Sequence, residues 1–179
     1  MNKLKKQLPG VFALSLAASF AFGGEGAKFL KITEVCEINA PAETVWKKVN
    51  NFGDLGAWHP AVKTTEIISG ENNKVGAIRL LTLQDGATLK ETLLSYDEKK
   101  TEYSYNIIES PLPISEYTST VSVGKDKKGM SKVTWSGHFK RKDVSPRPAV
   151  GQDDTTATKT MRTVYRAGLD NLKAILEHK

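Results

Sequence analysis

The chain has 179 residues, 39% hydrophobic and 26% charged, the balance of one folded domain and not of a disordered or fibrous chain. Its 26 basic and 20 acidic residues give a net charge of +6 that is spread out. With no arginine-rich helix and no basic run interleaved with aromatics, this argues against a nucleic-acid partner. The one cysteine, Cys36, excludes an internal disulfide.

Lys3, Lys5 and Lys6 precede an uncharged run from Leu8 to Phe22, which Gly23-Gly24-Glu25-Gly26 follows. A basic start, a short apolar stretch and small residues at the exit form the pattern of a secretory signal peptide over residues 1–23, with cleavage near residues 21–27. The expectation is an exported protein, periplasmic or secreted, whose net charge falls to +3 once the three lysines are gone. The apolar run is shorter than the ~20 residues of a membrane helix, so no stable membrane insertion is expected after the signal is removed. Residues 28–179 read as a single domain.

Phe29 to Asn39 reads as a strand with Ile32, Glu34, Cys36 and Ile38 on one face. Cys36 is expected to be a buried small hydrophobe there. Ala40-Pro41-Ala42-Glu43 ends the strand and opens a short helix, whose apolar face is Val45, Trp46 and Val49. Asn51 to Pro60 is a second short helix or turn that Pro60 stops. Then come strands at Val62–Ser69, Ala77–Leu83, Thr88–Tyr96, Thr101–Ile108, Glu116–Val123 and Ser131–Phe139. The Asp85-Gly86 turn marks the third and fourth strands as a hairpin. Connections this short imply antiparallel pairing and an α+β fold.

The last stretch, Asp154 to Glu177, is a long helix. Met161, Val164, Tyr165, Gly168, Leu169, Leu172, Ile175 and Leu176 recur at three- and four-residue steps on one side. Asp153 or Asp154 can cap its start. At 1.5 Å per residue it is roughly 36 Å long, enough to cross a whole sheet. Gly168 interrupts the stripe at a cost of about 1 kcal/mol relative to Ala, so it is expected to make room for a close-packed strand or for a ligand.

Candidate chemistry is sparse. The chain after the leader has no nucleophile elbow and no dinucleotide or phosphate loop. His59, His138 and His178 form no close-spaced ligand pair, so neither a metal nor another cofactor is expected. His138 alternates with Trp135, Gly137 and Phe139, which places it outward. Alternation puts Arg79, Leu81 and Leu83 on one face of their strand, and Leu89, Glu91 and Leu93 on one face of the next. Arg79 and Glu91 then meet under the helix, as a closed ion pair or as part of a wet pocket. Gly168, read as open space above them, favours the pocket. Tyr105, Ile107 and Tyr117 would add an aromatic wall to a mostly apolar cavity.

Several of these segments are also familiar as a set: Ala40-Pro41-Ala42-Glu43-Thr44-Val45-Trp46, Trp58-His59-Pro60, Val75-Gly76-Ala77-Ile78-Arg79, Asp85-Gly86 with Glu91, Pro111-Leu112-Pro113 with Tyr117, and Ala167-Gly168-Leu169-Asp170-Asn171-Leu172. They resemble the START-like (SRPBCC) superfamily, in particular its bacterial polyketide cyclase/dehydrase and lipid-transport branch. The resemblance implies a helix-grip fold, a seven-stranded curved antiparallel sheet around a long C-terminal helix, with two short helices after the first strand. It implies a small hydrophobic ligand held by His59, Leu81, Leu83, Glu91, Tyr105, Ile107 and Tyr117, a set to which the strand alternation and helix stripe above add Arg79, Val164 and Gly168. His59 stands where related plant hormone receptors carry an anchoring lysine, which leaves no permanent charge for a carboxylate. A signal peptide on such a domain resembles the periplasmic accessory proteins of bacterial methanol oxidation, the MxaD type, which implies a periplasmic redox protein as partner. The other function the resemblance implies is a cyclase/dehydrase-like enzyme. There His59 would be acid or base, Arg79 would polarise a carbonyl, and Glu91 would orient Arg79 or a water.

Overall fold

The computed structural model describes residues 26–126 and 130–178; the leader read at residues 1–23 lies outside them. Strand β1 (Leu30–Ile38) is followed by helix α1 (Ala42–Val49) and a one-turn 3₁₀ helix (Leu55–Ala57). Six strands come next: β2 (Val62–Ser69), β3 (Ile78–Leu83), β4 (Thr88–Asp97), β5 (Glu102–Glu109), β6 (Ile114–Lys125) and β7 (Ser131–Arg141). Helix α2 (Asp154–Glu177) closes the chain with the bounds its periodicity predicts. The strands form one antiparallel seven-stranded sheet in the order β1-β7-β6-β5-β4-β3-β2.

Period-two burial runs through β1, where Ile32, Cys36 and Ile38 are buried between exposed neighbours. It also runs through β7, where Val133, Trp135 and Phe139 point inward and His138 outward. Asp153 caps α2 by accepting from the Thr156 N–H at 2.7 Å. The helix buries Ala157, Met161, Tyr165, Gly168, Leu169 and Leu172. Ile175, expected on that stripe, is 36% exposed, while its neighbour Leu176 packs against the core. The polar side of α2 guards the free edge of β1. Arg166 donates to the Val35 carbonyl at 2.9 Å and Lys173 to that of Glu37 at 2.8 Å, so this edge is not left as bare backbone for another strand.

Candidate ligand site

The site is built on β3, β4, β5, β6 and the middle of α2. Arg79 and Glu91 face each other directly in the β3–β4 ladder, as alternation requires. Both are buried, at 1% and 3% exposure. Arg79 Nε donates to Glu91 Oε2 at 2.6 Å, and Nη2 lies 2.6 Å from the same oxygen. Nη1 donates to the Phe52 carbonyl at 2.7 Å, and the guanidinium carbon lies 4.1 Å from the centre of the Phe52 ring. Phe52 thus gives a buried cation both an acceptor and a π face, which offsets part of its desolvation. Burial pushes the Glu91 carboxyl above its usual range, while the neighbouring Arg79 charge pulls it back.

This is a closed pair, not the wet pocket expected from Gly168. A methyl group on Gly168 would lie 2.7 Å from His59 Cδ2, 3.0 Å from a Trp135 ring carbon and 3.1 Å from one of Trp58. Gly168 therefore admits tightly packed rings from the loop before β2 and from β7, not a ligand. A second close approach lies beside it, where a side chain on Gly137 would collide with the Tyr165 hydroxyl.

The space lies elsewhere under the same helix. A cavity of about 70 Å³ is bordered by eight of the ten residues expected at the site. Leu81 and Leu83 come from β3, Glu91 from β4, Tyr105 and Ile107 from β5 and Tyr117 from β6; His59 and Val164 complete the eight. Arg79 and Gly168 are absent from its wall: one is spent on Glu91 and Phe52, the other on the ring cluster. Sequence reasoning missed Leu55, Val62, Leu112, Trp135 and Met161 on that wall. Two of these had a usable signal: Met161 is one turn from Val164, and Leu112 is an apolar residue set between two prolines.

Glu91 is the one charged group on the wall. Oε2 is taken by Arg79, whereas Oε1 accepts no hydrogen bond among the described residues. His59 is neutral and fixed as one tautomer. Its Nε2 is 3.0 Å from the Val164 carbonyl, which can only accept, so Nε2 carries the proton. Its Nδ1 accepts from the Ala61 N–H at 3.2 Å. Burial lowers its pKa, and with both nitrogens engaged it ties the Trp58-His59-Pro60 turn to α2. Asn171 adds a second tie, donating to the Trp58 carbonyl at 2.9 Å. A proton-transfer role for His59 would require breaking one of its own hydrogen bonds.

The tyrosines form a directed chain. The Ser119 hydroxyl donates to the Ser136 carbonyl at 2.8 Å, so it can only accept from Trp135 Nε1 at 2.9 Å and from Tyr165 at 3.1 Å. Tyr165, donating there, accepts from Tyr117 at 2.6 Å. Tyr117 in turn accepts from Tyr105 over a long 3.4 Å. Each hydroxyl has one proton, so the direction is forced, and the Tyr105 proton is the least committed. Burial raises the pKa of Tyr105, Tyr117 and Tyr165, which keeps all three protonated. The cavity thus offers a spare carboxylate oxygen, a loosely held phenol proton and otherwise apolar walls. Among the described residues, no group of three His, Cys, Asp or Glu side chains comes together that could hold a metal ion.

A curved antiparallel sheet gripping a long helix over such a space defines a helix-grip protein of the START-like, Bet v 1-like class. The family of polyketide cyclases/dehydrases and lipid transport proteins matches over residues 30–177, and the chain belongs to that family. Over 113 residues it is 29% identical to MLP-like protein 423 of Arabidopsis thaliana, covering 59% of this chain and 72% of that one. Among solved structures, it is similar to the protein XoxI from Bacillus cereus, with 28% identity and a TM-score of 0.70 over 82% of this chain and 94% of that one. Ara h 8.0201 shares the fold at 16% identity, with a TM-score of 0.67 over 85% of this chain and 100% of that one.

Proposed function

We propose that the protein takes up a small, mostly apolar molecule in this cavity. Exported by its leader to the periplasm, it serves as an accessory factor to an oxidoreductase system there, such as methanol oxidation. The observation that carries the binding reading is the cavity itself, apolar on nearly every side with the unpaired Glu91 Oε1 on its wall. Its roughly 70 Å³ is well below the roughly 300–1,000 Å³ of drug-sized pockets, so the closed form takes a molecule of a few heavy atoms. The export reading rests on the basic and apolar leader from Lys3 to Phe22. The enzymatic reading gains nothing from the geometry, since Arg79 and His59 are both committed to structural partners.

Trifluorobutanol, followed by fluorine NMR, tests the binding. A saturable bound signal is expected, accompanied by a rise in melting temperature; no bound signal and no thermal shift would remove the reading. Native mass spectrometry of protein taken from the periplasm should show a small-molecule adduct. Recovery of the chain only in the cytoplasm, with its leader intact, would end the export reading. Retention of a periplasmic dehydrogenase or cytochrome at low salt supports the accessory role, and its absence counts against that role.

A further inference from the structure

The sheet is split beside the cavity. The β5–β6 ladder stops at Asn106↔Thr118, although β5 runs on to Glu109 and β6 starts at Ile114. Past that pair, each strand stays with its other neighbour. β5 keeps to β4 through Lys90↔Glu109, and the Lys90–Glu109 ion pair at 2.9 Å reinforces it. β6 keeps to β7 through Ile114↔Arg141 and Ser115↔Lys140, reinforced by the Lys140–Glu116 pair at 2.9 Å. Both lips carry the irregularities such a parting needs. The β4–β5 register slips between Lys90 and Glu91, where Ile108 has no partner, and the β6–β7 register slips between Ser115 and Thr118. Within the second slip Glu116 sits at φ 49°, a backbone strain held in place by its ion pair.

The gap between the lips is a surface pocket of about 260 Å³. Ile107 and Tyr117 form its inner wall, and the same two side chains border the cavity, so a single layer separates the two spaces. The outer rim is polar, with Ser110, Ser115, Glu116 and Lys142. Across the mouth Lys142 Nζ donates to the Ser110 carbonyl at 3.1 Å, a clasp at the protein surface.

We propose that this split between β5 and β6 is the route by which ligands reach the cavity, and that it selects short amphiphiles, whose apolar end passes Ile107 and Tyr117 while the polar end rests among the rim residues. Past Asn106↔Thr118 the gap-facing backbone groups of β5 and β6 no longer pair with each other, while each strand stays anchored to its other neighbour. The route needs the Lys142 clasp to release and the Ile107 and Tyr117 side chains to turn, which also breaks the Tyr117–Tyr165 hydrogen bond but leaves the ladder intact.

The proposal rests on the cavity being the binding site, and the test separates the two. Exchange of trifluorobutanol is measured by fluorine NMR on the full chain, together with its dissociation constant. Ile108 lines the outer pocket only and is largely exposed, so Ile108→Trp obstructs the gap without touching the cavity. Uptake and release should both slow by roughly tenfold, with an unchanged dissociation constant. Lys142→Met, which removes the clasp, should speed both, and it decides the matter if the tryptophan variant does not fold. Wild-type rates in either folded variant would overturn the route while leaving the cavity reading in place. A changed dissociation constant, with only one of the two rates altered, would make the outer pocket part of the binding site, which also overturns it. If the wild-type protein binds no trifluorobutanol, the cavity reading fails and the route fails with it.

Discussion

One face of α2 meets two very different interiors a single turn apart. At Met161 and Val164 the helix lies over open space. At Tyr165 and Gly168 it lies on rings, with Tyr165 stacked on Trp135 at 4.4 Å and 8°, and with no room for a methyl group on Gly168. The packed region ties down the loop before β2 through His59 and Asn171, so the open region has a rigid wall on one side. The split sheet lies on the other side. A cavity in a protein interior does not persist by default, because interiors pack to crystal-like density. It persists here because the groups around it are held by partners outside it.

Glu91 stands on the boundary, and breaking its pair should give the largest effect. Glu91→Gln strands a guanidinium that cannot lose its proton, at a cost of roughly 3–5 kcal/mol in chemical denaturation. Arg79→Met should cost less, because the carboxyl left behind can take up a proton. Burial raises the folded-state pKa of that carboxyl above its unfolded value, so the folded form binds the extra proton. The stability of Arg79→Met should therefore fall as pH rises from the ordinary glutamate range toward neutrality. Equal losses in both variants, independent of pH, would show that the pair is not asymmetric in this way.

Gly168→Ala should come next. Alanine gains about 1 kcal/mol in helix propensity, but its methyl meets rings that cannot retreat, so packing strain of roughly 1–3 kcal/mol wins. A stabilised Gly168→Ala protein would mean the ring cluster is looser than described. His59 gives a smaller effect that depends on pH. Its folded-state pKa is depressed, so its contribution is present above the unfolded value near 6.5 and is lost as pH falls through the folded one. The melting temperature should drop on acidification from neutrality, and the drop should shrink in His59→Gln.

The pairing of Arg79 with Glu91, the bounds of α2 and the strand and helix positions expected on the cavity wall were legible in the sequence, because each follows from a local period of two or of 3.6, whereas His59 came only with the family resemblance. The purpose of Gly168 was not. Its neighbours Trp58, His59 and Trp135 come from segments distant in the chain, and a glycine looks the same over a void as under a ring. The split in the sheet was equally hidden. Its trace is the adjacent apolar pair Ile107-Ile108, which breaks the alternation of β5 near its end.

The smallest stability effect is the most informative one. Val164→Phe, one turn from Gly168, should change stability by about 1 kcal/mol or less, because the ring enters space that is already there. A fluorine NMR titration of wild type and Val164→Phe with trifluorobutanol tests the central claim most directly. Saturable binding to the wild type, abolished in a variant of near-native stability, is the predicted result. Equal binding to both proteins, or to neither, would contradict the assignment of the ligand to this cavity.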